Sequence, residues 1–191
     1  MRNPIAFIYN VINLVSITSV IHAMEDKLMK METLRDLLVE QLQDTYDAEH
    51  QITKALPKMI DAAHNSQLKD GFKMHLEQTK QHITRLEQVF QMLDQQPKRK
   101  HCHGMEGLLK EGEEMIKEDA DPDVKDAGLI TSAQRVEHYE IAAYGTAMAY
   151  AKQIGQTQMI NLLSQTLDEE KATDQKLTQL AETNINVRAS Q

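Results

Sequence analysis

From Glu32 to Glu182 the chain repeats apolar side chains every three or four residues, in stretches long enough to demand helices. Only seven Gly and four Pro occur in 191 residues, and the body is rich in strong helix formers such as Leu, Ala, Glu, Lys, Gln and Met. The chain therefore reads as all-α, with one domain long enough to bury a real core.

Period and punctuation place the helices. The first, over 33–64, carries Leu34, Leu38, Leu42, Thr45, Glu49, Ile52 and Leu56 on one face, with Pro57 expected to kink it or end its first half. After Asn65 and Ser66, a second helix runs to position 94 with Leu68, Phe72, Leu76, Thr79, Ile83, Leu86, Phe90 and Leu93 inward. A polar loop over 95–104 leads into a short amphipathic helix over 105–118. Asp121-Pro122 supplies an N-cap and a proline at the first helical position, opening a helix that reaches Gln153 with Ile130, Ala133, Glu137, Ile141, Tyr144 and Met148 inward. Gly155 separates it from a last helix over 156–182, where Leu163, Leu167, Glu170, Asp174 and Leu177 face in and beyond which the polar tail from Asn184 should fray. Two helical hairpins joined by a longer connection make a four-helix bundle with a crossover that contains a short helix. The bundle spans 31–186, with a polar tail at 187–191.

Residues 1–30 differ in character. An apolar, β-branched run over 5–21 stands behind a single Arg2 and matches a signal h-region in length, but Ile21-His22-Ala23 makes a poor cleavage site. Asn10 and Asn13 make it a poor membrane span, so no stable membrane insertion is expected. The run reads either as an upstream extension, with the natural start at Met24, Met29 or Met31, or as a targeting segment.

A formal net charge of −8 and a pI near 5.5 argue against nucleic acid as a partner, since Lys98-Arg99-Lys100 is the only basic run. One cysteine, Cys102, excludes an intrachain disulfide framework and fits a reducing compartment. No nucleophile triad, phosphate loop or dinucleotide-binding glycine pattern is present.

Chemistry enters where carboxylates occupy core positions. Glu49, Glu137 and Glu170 lie within about 20° of the centres of their helices' apolar stripes, while Glu140 and Asp174 sit one turn from Glu137 and Glu170. A buried anion without a partner costs several kcal/mol, so these positions call for a cation, and a metal ion is the first candidate. The second helix turns His75, Thr79 and His82 inward, whereas Glu77 points nearly the opposite way. Imidazole and carboxylate donors together suit iron, manganese or zinc. A faint internal repeat pairs Glu49 with Glu137 and Thr79 with Glu170, as expected of a bundle built from two related halves with metal between them. The alternative is that each carboxylate pairs with a lysine, Lys54, Lys80 or Lys171. His101-Cys102-His103 reads as a surface loop thiol, because adjacent loop residues point in different directions. Tyr46, Tyr139 and Tyr144 read as core and interface volume, with donation to a metal site as the alternative.

These residues carry a resemblance. The runs Leu42-Gln-Asp-Thr-Tyr-Asp-Ala-Glu49, His75-Leu-Glu, Arg85-Leu-Glu, Met105-Glu-Gly-Leu, Val136-Glu-His-Tyr-Glu-Ile-Ala and Thr166-Leu-Asp-Glu-Glu-Lys-Ala-Thr-Asp174 resemble the bacterial YciE/YciF-like proteins of the ferritin-like superfamily, in order and at the right spacing over about 31–186. The resemblance implies a cytoplasmic homodimer associated with stress responses, with a rubrerythrin-like di-metal centre. Iron or manganese would be held by a set drawn from Glu49, His75, His82, Glu137, Glu140, Glu170 and Asp174, and would act on oxygen or peroxide. The chain departs from the ferritin-like pattern at the two Glu-x-x-His positions, which here read Glu77-Gln-Thr-Lys80 and Glu170-Lys-Ala-Thr173. That departure leaves open a carboxylate-rich site, one that uses His75, His82 or Asp174 instead, a single ion, or an empty site in a metal-free dimeric bundle acting as an interaction module.

Overall fold

A computed structural model describes residues 31–191. The readings made of residues 1–30 fall outside the described residues. The described chain folds as α1 Leu34–Ala62, α2 Ser66–Met92, α3 His103–Lys117, α4 Pro122–Gln153 and α5 Thr157–Leu180, then a π-helical turn Ala181–Ile185 and a short α6 Asn186–Ala189. Each helix end has a local cause. Asn65 caps α2, its side chain accepting from the backbone N–H groups of Gln67 and Leu68, while Asp121 accepts from Asp123 N–H at the start of α4. Asp126, buried in α4, accepts from the N–H groups of His64 (2.8 Å) and Asn65 (2.7 Å) and so fixes the turn between α1 and α2. Helix α2 stops at Met92 because Asp94 takes a left-handed backbone, φ 53°.

Helices α1 and α2 pack as one hairpin and α4 and α5 as the other, and α1 meets α4 while α2 meets α5. The short α3, carried by the connection between hairpins, packs on α4 and α1. This is the expected four-helix bundle with a crossover. Among the described residues no helix is long and apolar enough to cross a membrane.

Two local expectations are corrected. Helix α1 continues past Pro57, an exposed residue in its last two turns, so the proline does not end the helix. The tail does not fray at Asn184. The wider π turn keeps Ala181 and Ile185 on the face that carries Leu177, Ile185 is fully buried, and Arg188 pairs with Asp123.

The core is divided. One apolar cluster gathers Ile52, Leu56, Leu68, Phe72, Leu129, Val136, Leu177 and Ile185, and a second gathers Leu38, Leu42, Leu86, Phe90, Tyr144, Met159 and Leu163. Each fully buried side chain of this size contributes about 1.5–3 kcal/mol, so two such clusters stabilise the bundle on either side of its middle. Between them lies a polar layer.

Candidate metal centre

Helical phase builds this layer. Glu49 on α1, His75 and His82 on α2, Glu137 and Glu140 on α4 and Glu170 on α5 are each at most 3% exposed, all on the inward stripes. The seven-residue interval between His75 and His82 is two helical turns, which puts both rings on the same face of α2, 6.5 Å apart.

The donor atoms fall into two overlapping groups. His75, Glu137, Glu140 and Glu170 form one and Glu49, His82 and Glu170 the other, with one ligand atom from each member lying within 4.8 Å of the rest. Glu170 belongs to both and divides its oxygens between them. Its Oε1 is 2.9 Å from His82 Nδ1, and its Oε2 is 4.0 Å from His75 Nδ1. His75 Nε2 is 3.2 Å from Glu137 Oε1, and His82 Nδ1 is 3.4 Å from Glu49 Oε1.

These close approaches are ion-pair contacts, and they leave most of the donor atoms unsatisfied. Glu49 Oε2, Glu137 Oε2, both oxygens of Glu140 and of Glu170, both nitrogens of His75 and His82 Nδ1 are buried without a hydrogen-bond partner. Unpaired buried polar atoms ordinarily cost about 1–3 kcal/mol each, more when charged. Nine of them converging on one layer is a pattern that a ligand set would give.

The electrostatics point the same way. Burial, and then the neighbouring Glu170 charge, push the Glu137 carboxyl well above its ordinary range. Burial followed by Glu49 and Glu170 does the same to Glu140, and burial raises Glu49 against the opposing pull of His82. His75 is lowered by burial, which keeps its ring neutral and its lone pair available. Burial would lower His82 too, but Glu170 and Glu49 outweigh it and raise the ring to about 10. Burial opposes the charge on Glu170, yet His82 and His75 hold its carboxyl below the ordinary value. Four carboxyls facing two imidazoles leave an excess of negative charge that protons or cations must neutralise.

Supporting side chains orient the layer from outside. His82 Nε2 bonds Glu169 Oε2 at 2.9 Å, which fixes the ring and turns Nδ1 toward the centre. Glu169 is held in turn by Arg85 through two parallel bonds, 2.7 and 2.9 Å, and Arg85 also donates to Thr166 at 3.1 Å. The Tyr144 hydroxyl donates to Glu49 Oε1, and burial with the adjacent Glu49 and Glu140 charges raises its pKa well above the ordinary phenol value.

Six of the seven expected ligands are thus brought together. Asp174 is not among them. It is only partly buried, accepts from Gln134 Nε2 (3.0 Å) and lies 3.3 Å from His138, because Thr173 takes the inward position on that turn. The expected lysines do not enter either: Lys54, Lys80 and Lys171 are exposed, and Lys80 pairs with Glu77. Thr79, aligned by the internal repeat with Glu170, spends its hydroxyl on the His75 carbonyl at 2.8 Å. Glu169 and Arg85 were not foreseen as site residues; Arg85 follows His82 by one turn and Glu169 precedes Glu170, and neither spacing announces their pairing.

The loop motif departs from expectation. Cys102 is fully buried and caps α3, its Sγ accepting from Met105 N–H at 3.4 Å and lying 3.0 Å from the Tyr139 hydroxyl, which donates to Asp44. His101 and His103 swing outward, their rings 4.5 Å apart and both near exposed Glu106. Tyr46 fills core volume as expected, edge-on to Phe90, with its hydroxyl on Glu87.

Comparison with known proteins adds kinship. The family described as a domain of unknown function, DUF892, matches residues 33–190. Protein YciF of Escherichia coli (strain K12) is 46% identical over 162 residues, spanning 84% of this chain and 98% of that one. The crystal structure of the E. coli stress protein YciF superposes with a TM-score of 0.79 at 46% identity, covering 82% of this chain and 99% of that chain. YcfI from Rhodopseudomonas palustris, described as a candidate structural protein, gives 0.77 at 47% identity over 79% and 96% of the two chains. A Xanthomonas campestris pv. campestris protein, 19% identical over 83% and 97%, shares the fold with a TM-score of 0.64.

Proposed function

The chain belongs to the DUF892 family of YciF-like stress proteins, and from its mid-bundle donor set we propose that it holds two iron or manganese ions and acts on oxygen or peroxide in stress defence. One observation carries the reading: nine unpaired buried donor atoms converge on two adjoining groups that share Glu170. His75, Glu137 and Glu140 would hold one ion and Glu49 and His82 the other, with Glu170, a member of both groups, available to either. When bound, such ions supply redox chemistry. The chain's own residues do the rest: Glu169 and Arg85 orient His82, and Tyr144 positions Glu49 through its hydroxyl. The protein works in the cytoplasm as a homodimer on this reading, in keeping with its single, unpaired Cys102.

The second reading is a metal-free dimeric bundle that serves as an interaction module in the stress response. It is favoured by the raised pKa of Glu137 and Glu140, which lets protons neutralise the layer, and by the R. palustris relative's description as a candidate structural protein. Metal analysis after aerobic loading with Fe(II) or Mn(II), on protein purified without a chelating tag, separates the two. About two equivalents per chain, lost in Glu137→Ala, are expected; fewer than about 0.2 equivalents, with melting unchanged by EDTA, would refute the metal reading.

A further inference from the structure

A cavity of about 490 Å³, within the range of small-molecule sites, enters the bundle from the side and ends at the polar layer. Its walls are mostly apolar and come from five helices, with Leu56 and Met59 of α1, Leu68 and Phe72 of α2, Leu109 of α3, Val136 of α4 and Leu177 of α5. Its inner end is His75 and Glu137, two members of the candidate metal centre. An open apolar cavity of this size leaves its lining side chains without the packing contacts that a closed core would give them.

The rim carries charge of a definite balance. Lys58, Asp70, Glu113 and Lys176 line the cavity beside exposed Met74. Glu113 is taken by Lys58 and Asp70 by Lys73, while Lys176 has no ion-pair partner among the described residues. The spare charge at the entrance is therefore positive, whereas the carboxyl-rich floor repels an anion. An amphiphile with an anionic head has one orientation that satisfies both ends: tail inward, head at Lys176.

We propose that this cavity binds an aliphatic carboxylate tail first, so that its chain ends beside His75 and Glu137 and its head group meets Lys176. As the substrate of the metal centre this molecule rests on the function proposed above; as a ligand of the cavity it does not. Gly71 gives a clean probe of the difference, since it lines the cavity from within α2 and a side chain added there meets open space. A helix-interior glycine is also a poor helix former, so Gly71→Phe fills the cavity without weakening α2.

The test is fluorescence titration of the full-length protein with dansyl-undecanoate, followed by displacement with decanoate, before and after iron loading. One saturable site per chain with Kd below about 50 μM is expected, weakened at least about tenfold by Gly71→Phe and about threefold or more by Lys176→Ala. Decanol, which lacks the charge, should displace the probe equally well from wild type and Lys176→Ala. Probe binding without any uptake of iron would support the cavity while refuting the metal reading. Iron uptake without saturable probe binding would overturn the cavity proposal and leave the metal reading standing. Unchanged affinity in Gly71→Phe, or conversion of a dimer to a monomer by that substitution, would also overturn the proposal, the latter by marking the face as a subunit interface.

Discussion

Glu140 offers the sharpest perturbation, because it is fully buried and neither of its oxygens has a hydrogen-bond partner. Glu140→Met keeps the length of the side chain and removes both orphaned atoms, so it breaks no bond that the metal-free protein makes. Removing buried polar atoms that lack hydrogen-bond partners relieves a desolvation cost of about 1–3 kcal/mol. Taking about 2 kcal/mol, the metal-free variant should melt about 4–8 °C above the metal-free wild type. The order reverses on loading. A ligand present at a hundred times its Kd stabilises the native state by about 2.7 kcal/mol, so the loaded wild type should overtake a variant that has lost one ligand of the first ion. Calorimetry of both proteins with EDTA and with excess Fe(II) reads the two effects separately. A metal-free Glu140→Met that melts below the wild type would refute the reasoning, because Glu140 would then be making a favourable interaction that its geometry does not contain.

Other consequences follow from the supporting residues. Glu169→Gln weakens both the Arg85 pair and the bond that orients His82, and should lower iron or manganese affinity about 10–100-fold while leaving the fold intact by circular dichroism. Asp126→Ala leaves the His64 and Asn65 amides unpaired at the α1–α2 turn and should cost about 1–3 kcal/mol in urea unfolding, with no change in metal stoichiometry. The metal-free protein should lose stability as pH rises from 6.5 toward 10. Over that window His82, raised in the folded state, gives up a proton it holds more tightly than the unfolded chain does, and the raised Glu137 and Glu140 work in the same direction. Chemical denaturation across that range with EDTA present checks the slope, and stability that climbs toward pH 10 would contradict the assignment.

The fold was legible because long-period signals decide it. Helices of 24 residues or more repeat their apolar face many times, so an error at one position changes nothing, and Asp121-Pro122 and Asn65 mark their starts by local chemistry. The carboxylates at the stripe centres were legible for the same reason: phase alone puts Glu49, Glu137 and Glu170 inside. Asp174 was misplaced because a residue one turn along lies near the edge of the stripe, where a slight rotation lets Thr173 face in. Glu169 was missed because its role depends on α2 and α5 lying side by side, a tertiary fact with no sequence period. Pro57 and the tail show the same limit, since exposure decides whether a proline matters and a single buried Ile185 holds the chain's end helical.

The departure from Glu-x-x-His can now be given a physical form. Lys80 and Thr173 stand where that pattern puts histidines, and the structure sends Lys80 to solvent and Thr173 to its own backbone. The imidazoles of the buried layer are His75 and His82, placed on a single helix one turn either side of Thr79. Both rings therefore approach from the α2 side, and only His82 is braced from outside, by Glu169 and Arg85. His75 has no such brace, and both its nitrogens are unpaired. It is also the ring that meets the apolar cavity. The two halves of the layer are chemically unequal: on the Glu49–His82 side Tyr144 and Glu169 hold both members, whereas on the His75–Glu137 side both ring nitrogens are unbonded and the apolar cavity adjoins.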